Sequence, residues 1–394
     1  MKFLHTADWQ LGKPFAGIDD SHKRVLVQQE RIEVIKRIGL VAEEHQAEFI
    51  LIAGDVFDSS RTDKSTVAGA CSAIGQLKLP VLLIPGNHDH GGPGSIWEQD
   101  FFKQEQAALA PNLKILLQPE VVELENALIF PCPLARRAET TDTTAWLRDL
   151  DVYSACDVQK PRIILAHGST QMFTSRAERE EDDHGSSNHI DVEQLPEAEY
   201  DYLALGDWHG TKKVAEKAWY SGTPELDRFP KGEDNDPGHV LVVEVQRGQF
   251  PTVEKVETGR LQWTELVFDF ADDTGLERLS EKLNEELGQR ANEDLLRLEL
   301  SGSLGIGAST DLHKLLESLQ ARLLRLRLKD RTSVAPTEEE IQNLTSQTAD
   351  PLVARVAQQL LDESVGSEES AEIARIAIRE LHAGYVGPNP STAK

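Results

Sequence analysis

EFILIAGDVFD, residues 48–58, runs five apolar residues into a glycine and then sets two aspartates three positions apart. The run is far too short to span a membrane, and its branched residues favour a buried strand. Four other stretches repeat the design: KFLHTAD at 2–8, PVLLIPGNHD at 80–89, RIILAHG at 162–168 and YDYLALGDWHG at 200–210. Each apolar run ends in a cluster of Gly, Asp, Asn or His. Between them lie stretches of helical period, such as residues 23–44 with Val27, Ile35, Ile38 and Val41 on one face. Buried strands separated by helices imply an α/β fold whose sheet is covered on both faces. The polar clusters then gather at the C-terminal edge of the sheet, where open α/β sheets bind ligands. AWYSGTPE and GHVLVVEV read as further strands, and PELDRFPKGEDNDPG, 224–238, as a turn-rich polar surface loop between them. Residues 168–190 are charged and rich in Ser and Gly, and read as an excursion rather than an element.

A chain of 394 residues exceeds one ordinary domain, so a main domain of about 250 residues with appendages is expected. No run approaches the roughly 18 apolar residues a membrane span needs, and Asp8 interrupts the apolar lead of the N-terminus before a signal peptide can form, so a cytoplasmic address is expected. Cys71, Cys132 and Cys156 are odd in number and lack any C-x-x-C spacing, which argues against disulfides and a zinc ribbon. They are expected to act as small buried hydrophobes. The formal charge of −26 tells against a chain that coats bare nucleic acid, because phosphate affinity comes from Lys and Arg releasing counterions. Any nucleic-acid role needs bound cations, a local basic patch or a partner.

A second pattern begins near Gln262. TELVFDF, DLLRLEL and LLRLRL read as strands, and TGLERLSEKLNEELG and DLHKLLESLQ between them as helices with leucines on one face. This βαβαβ order suits a small α+β domain with its own core. From Pro336 the chain turns acidic and helical, and TEEEIQNL, 337–344, opens with a helix-start signature. Two short amphipathic helices are expected, over 350–362 with Leu352, Val356, Leu360 and Leu361, and over 368–381; GPNPSTAK, 387–394, reads as a loose tail. The expected domains are therefore 1–260, 261–332 and 333–394.

Five clusters carry the chemistry: Asp8 with Gln10; Asp55 and Asp58 in GDVFD; Asn87, His88 and Asp89 in GNHDH; His167; and Asp207 with His209. Singly, each is also explained as a helix cap, a turn or a solvated loop. Gathered at one edge, carboxylates and imidazoles repel or lie unsatisfied unless cations stand between them. A pair of divalent ions about 3.5–4 Å apart needs a bridging carboxylate and about three further ligands each, and these residues supply that number. The glycines before Asp55, Asn87 and Asp207 are expected to turn the backbone sharply so that the side chains face the ions.

D-x-Q, GDVFD, PGNHD, His-Gly and GDWHG, in this order, resemble the calcineurin-like metallophosphoesterase superfamily. With a cap and helices behind them, they look like SbcD-type nucleases, the small subunits of SbcC/SbcD DNA-repair complexes. The resemblance implies a four-layer α/β sandwich. It implies a first ion on Asp8, Asp55, His209 and Gln10, with Asp55 bridging to a second ion on Asn87, His167 and Asp207. His88 would be the catalytic, non-ligand histidine, oriented by Asp89, and a water activated by the two ions would hydrolyse a phosphodiester. Gln10 and Asp207 stand where the family has histidines. A glutamine oxygen is a neutral, weak ligand and Asp207 adds a hard negative one, which shifts preference from zinc-like ions toward Mn2+, with Mg2+ as an alternative. The implied partners are DNA, an SbcC-type coiled-coil ATPase bound at the C-terminal helices, and a second copy of the chain as homodimer.

Other residues admit two readings each. His5, inside the first strand, reads as packed or hydrogen-bonded rather than a ligand. Trp9 and Trp208 suit either stacking on a base or shielding the metals. Arg136, Arg137, Lys212, Lys213 and the alternating Arg325, Arg327 and Lys329 suit phosphate contacts or a solvated face. Taken together, these readings describe a manganese-dependent DNA nuclease subunit serving repair or defence against foreign DNA. The alternatives are a phosphodiesterase or phosphatase acting on small nucleotides or phosphoproteins, and a catalytically silent scaffold of an ATPase complex.

Overall fold

The structure, a computed structural model, describes residues 1–170, 187–229, 235–288, 290–336, 338–346, 350–365 and 369–386. Parts of the expected excursion (171–186) and loop (230–234), and the expected tail (387–394), lie outside the described residues. The chain divides into two compact units, residues 1–261 and 262–394.

The first unit opens with β1 (Lys2–Thr6), α1 (Ser21–Glu44), β2 (Ile50–Ala53), α2 (Lys64–Gly75), β3 (Val81–Ile84), α3 (Asp100–Leu109) and β4 (Leu113–Ile115). It continues with β5 (Val122–Glu123), β6 (Leu128–Cys132), α4 (Asp151–Ser154), β7 (Arg162–His167), β8 (Ser169–Thr170), β9 (His189–Ile190) and β10 (Tyr202–Gly206). It ends with β11 (Lys212–Ala215), β12 (Ala218–Tyr220), β13 (His239–Glu244) and β14 (Thr252–Glu257). Two six-stranded sheets result, ordered β14-β13-β1-β2-β3-β4 and β11-β12-β10-β7-β6-β5. The single sheet expected from the strand pattern is therefore two. β1, β2 and β3 are parallel neighbours in one, and β7 and β10 in the other.

Alternation along each strand explains the layering. Leu4, Ile50, Ile52, Val81 and Leu83 face α1 to α3, meeting Val34, Ile35, Ile38, Val67, Ile74 and Phe102. Phe3, Leu51, Ala53, Leu82 and Ile84 turn the other way and meet Ile163, Leu165, Tyr202 and Ala204 of the second sheet. The outer face of that sheet, with Ile164, Ala166, Leu203 and Leu205, is covered by Leu147, Tyr153, Ile190, Leu195 and Tyr200. Both sheets are thus buried on both faces, the four-layer α/β sandwich expected of the chain. Asp20 starts α1 by accepting from the amides of His22 and Lys23, and Asp63 caps α2 at Thr66. The three cysteines are free, with Cys71 and Cys132 buried.

The second unit contains β15 (Gln262–Phe270), α5 (Gly275–Leu287), β16 (Asp294–Leu304), α6 (Ile306–Arg322), β17 (Arg325–Asp330), β18 (Ser333–Val334), α7 (Glu338–Ser346), α8 (Pro351–Glu363) and α9 (Glu369–Val386). β15, β16 and β17 pair in parallel, as strands joined by crossover helices do. Leu279, Leu283, Leu287, Leu312, Leu316 and Leu319 of the two helices pack on Leu296, Leu298 and Leu300. On the opposite face Arg297 pairs with Glu265 and Glu299, and Lys329 with Glu299. Among the described residues the C-terminal region forms three helices, the two expected amphipathic ones and α7 at the helix-start signature of TEEEIQNL. Arg379 of α9 donates to the carbonyls of Ala271 and Ser303, so this helix docks on its own unit. No helix among the described residues is long and apolar enough to cross a membrane.

Candidate metal centre

The strand ends of both sheets converge. Asp8 follows β1, Asp55 follows β2, and Asn87, His88 and Asp89 follow β3; His167 ends β7, and Asp207 and His209 follow β10. Three of the clusters come from the first sheet and two from the second, so the sandwich builds the centre rather than one sheet edge. The backbone is bent to achieve this. Asp8, Gln10, Asp55 and Asp207 all hold positive φ, at 54°, 44°, 55° and 104°. Such strain in non-glycine residues persists where surrounding structure enforces it, and it concentrates at functional sites.

The glycines work differently from expectation. Of the three that precede Asp55, Asn87 and Asp207, only Gly54 has positive φ. Gly86 serves by lacking a side chain: a Cβ there would lie 2.1 Å from Asp55 Oδ1.

His167 is the hub. Its Nδ1–H donates to the Ala53 carbonyl at 2.7 Å, which turns Nε2 inward. Nε2 stands 3.2 Å from Asn87 Oδ1, 3.6 Å from Asp55 Oδ1 and 3.7 Å from Asp207 Oδ1. Ligand atoms about 2.1 Å from a common ion stand at most about 4.2 Å apart, so each of these three oxygens lies within reach of an ion bound at His167 Nε2. Asp8, Asp55 and His167 also bring one donor atom each within 4.8 Å of one another. Asp8 accepts the Asp207 amide on both oxygens at 3.2 Å, and Ser169 Oγ donates to Asp207 Oδ2 at 2.7 Å.

The electrostatics favour a cation. Burial, with Asp55 and Asp207 nearby, raises the Asp8 carboxyl well above its usual range, against the opposing pull of His167 and of the Asp207 amide. Burial opposes charge on His167, yet Asp55, Asp207 and Asp8 push it up to about 9. Unit charges 4 Å apart interact by about 4 kcal/mol at an effective dielectric near 20, so a divalent ion here relieves a large repulsion.

Gln10 and His209 stand beside this hub with other partners. Lys13 Nζ donates to Gln10 Oε1 at 3.0 Å and pairs with Asp227 Oδ2 at 2.5 Å. Gln10 Nε2 stands 3.3 Å from His209 Nε2, and Asp227 Oδ1 3.2 Å from His209 Nδ1. The guanidinium of Arg228 reaches both His209 ring nitrogens, at 3.0 and 3.3 Å. Burial, against the pull of Asp227, holds the His209 ring down to about 4, so it is neutral.

Lys13, Asp227 and Arg228 went unread in the sequence. The expected surface loop is in fact buried from Pro224 to Glu225 and again at Asp227 and Phe229. Its signal was the charged pair set between Leu226 and Phe229, a pattern of an inward-facing segment rather than a solvated one.

His88 remains 31% exposed; its Nδ1–H donates to the Asp58 carbonyl at 2.8 Å, and its Nε2 lies 3.9 Å from Asp55 Oδ2. Asp89 does not orient it. The Asp89 carboxylate is buried and accepts from the Gly86 and Phe57 amides, at 2.7 and 3.1 Å, clamping the loops that carry Asp55 and Asn87. Trp9 is fully buried with its Nε1–H on Thr6 Oγ1, a wedge and not a stacking platform. Arg136 and Arg137 are exposed, and Lys212 lies over the Trp208 ring. In the second unit Arg325 is half-buried and Arg327 exposed.

Two facing sheets with carboxylate, amide and imidazole donors gathered at their strand ends define a metallohydrolase type of centre. The chain belongs to the calcineurin-like phosphoesterase family, whose model matches residues 1–236. It is similar to the SbcD subunit of the SbcCD nuclease of Staphylococcus epidermidis, at 24% identity over 301 residues, 72% of this chain and 76% of that relative. The crystal structure of TT1561 of Thermus thermophilus aligns with a TM-score of 0.40 at 13% identity, covering 65% of this chain and 98% of that one.

Proposed function

We propose that this phosphoesterase cleaves DNA phosphodiester bonds, as a nuclease subunit acting with an SbcC-type ATPase in the cytoplasm. The observation that carries the hydrolytic part is the set of three oxygens lying 3.2–3.7 Å from His167 Nε2, with Asp8 adjoining. A divalent ion held by Asp8, Asp55, Asn87, His167 and Asp207, Mn2+ before Mg2+ because an imidazole nitrogen joins the oxygen donors, would polarise the phosphate and make a bound water more acidic. The residues around it do the rest. His88, fixed through Nδ1 by the Asp58 carbonyl, presents Nε2 to the substrate and holds the proton that the leaving oxygen takes as its bond to phosphorus breaks. The attacking water supplies the oxygen of the new P–O bond and releases its own proton to solvent. Asp89 keeps both ligand loops in place through the Gly86 and Phe57 amides.

DNA as substrate rests on the similarity to the nuclease subunit and on the exposed Arg136 and Arg137 and the Lys212–Trp208 pair, which suit a phosphate and a base. A partner ATPase rests on the same relative and on apolar side chains that α8 and α9 leave in solvent: Leu352, 72% exposed, with Val356 and Ile373. A homodimer belongs to this proposal through the resemblance alone.

The test is cleavage by the manganese-loaded chain, with and without its ATPase, of single- and double-stranded DNA against cyclic nucleotides. DNA should be cut, and His88→Ala should lower turnover by about a hundredfold or more while manganese content stays unchanged. Hydrolysis of small diesters with every DNA left intact would defeat the nuclease assignment.

A further inference from the structure

Two cationic side chains occupy the flank of the centre where a second ion of a paired site would need its ligands. Lys13 Nζ takes the lone pair of Gln10 Oε1 at 3.0 Å, and Arg228 and the Gln10 amide nitrogen both face His209 Nε2 at 3.3 Å. Each donor atom that Gln10 and His209 could offer a metal is therefore already turned toward an N–H group. Asp227, its side chain 1% exposed, fixes the arrangement by pairing with Lys13, Arg228 and His209 together. Beyond Asp8 and Asp55, which also serve the ion at His167, this flank offers a second hard dication only one amide and one imidazole, a poor match.

Resting on the metal-dependent hydrolysis proposed above, we propose that this chain holds one divalent cation, on Asp8, Asp55, Asn87, His167 and Asp207, and that Lys13 and Arg228 stand in for the second. The charges agree with this. Asp8, Asp55 and Asp207 gather negative charge that one dication offsets in large part, and Lys13 and Arg228 bring positive charge to the same centre beside Asp227. A further dication would sit against an ammonium and a guanidinium at short range, where like charges are strongly unfavourable. Gln10 follows from the same arrangement. A histidine there competes for an ion, whereas an amide bridges Lys13 to His209 and holds the ammonium on this flank of the centre.

The experiment is metal counting on the full chain. After equilibration with excess manganese and removal of free ion, the wild type should hold one Mn2+ per chain and give the six-line resonance spectrum of an isolated ion. Two ions per chain with an exchange-coupled spectrum would overturn the one-ion assignment and leave the phosphoesterase reading intact. No bound manganese would overturn both. Lys13→Met tests the stand-in role: it should keep its single ion and lose at least tenfold in kcat on bis(p-nitrophenyl) phosphate with little change in KM, and Lys13→Arg should recover most of the loss. Unchanged kcat in Lys13→Met would defeat the stand-in role even at one ion per chain.

Discussion

Gly86 shows how much of this centre depends on single atoms that are missing. A methyl group at this position would lie 2.1 Å from Asp55 Oδ1 and 2.6 Å from the Asp55 amide, so the loop after β2 must shift to admit it. Gly86→Ala is therefore expected to weaken manganese binding at least tenfold, read by titration calorimetry, and to lower stability by about 1–3 kcal/mol in urea unfolding. That GNHD belongs to a site was legible in the sequence. Why its glycine is needed was not, because the clash is with a residue 31 positions away across the sheet. The role given to Asp89 failed for a similar reason. Adjacency to His88 suggested that it orients the ring, but residues next to each other after a strand diverge, and the carboxylate turns back to the Gly86 and Phe57 amides while the Asp58 carbonyl holds His88.

At the scale of elements, α1 does more than cover the first sheet. Its apolar face was readable from Val27, Ile35, Ile38 and Val41, and the same periodicity places Arg31 inward, where a charged residue is unexpected. Arg31 is buried, and its guanidinium donates to the carbonyl of Trp9 at 2.8 Å, of Asp8 at 3.3 Å and of Glu225 at 3.0 Å, and to Thr223 Oγ1 at 3.1 Å. It ties the loop carrying Asp8 and Gln10 to the segment carrying Asp227 and Arg228. Arg31→Met keeps the apolar stem but leaves these acceptors without donors in a dry interior. A loss of about 3 kcal/mol or more is expected in chemical denaturation, together with weaker manganese binding. A variant as stable as the wild type would show that water replaces the guanidinium there. The buried stretch around Asp227 was misread as a surface loop because Pro, Gly and charged residues usually signal solvent. Here Lys13 and Arg37 pair with the carboxylates of Asp227 and Glu225, and Arg31 donates to the Glu225 carbonyl.

For the first unit as a whole, the decisive feature is that two sheets face each other, and His5 lies at their junction. Its Nδ1 accepts from the Tyr202 hydroxyl at 3.0 Å, and its Nε2–H donates to the Leu205 carbonyl at 3.2 Å, so β1 is bonded to β10 across the sandwich. Burial, only partly offset by the Leu205 carbonyl, lowers the His5 ring from 6.5 to about 3. Between those values the unfolded chain binds a proton that the folded chain excludes. Stability due to His5 is thus complete above about pH 6.5 and is lost progressively as pH falls toward about 3. Wild-type unfolding free energy should fall more steeply over this window than that of His5→Gln, which keeps hydrogen-bonding groups and does not titrate. Equal slopes would show that the acid sensitivity comes from elsewhere.

From local chemistry alone the chain specifies the strands that carry its donor clusters, its α1 face, the βαβαβ unit beyond residue 261 and the type of donor at each strand end, because periodicity and side-chain class act over a few residues. Only the assembled fold decides that the five clusters come from two sheets, that His167 is the hub, and that Lys13, Asp227 and Arg228 enclose Gln10 and His209. Those facts depend on pairs such as Lys13 with Asp227, 214 positions apart, whose meeting is set by how the layers pack and by which buried charges must then find each other.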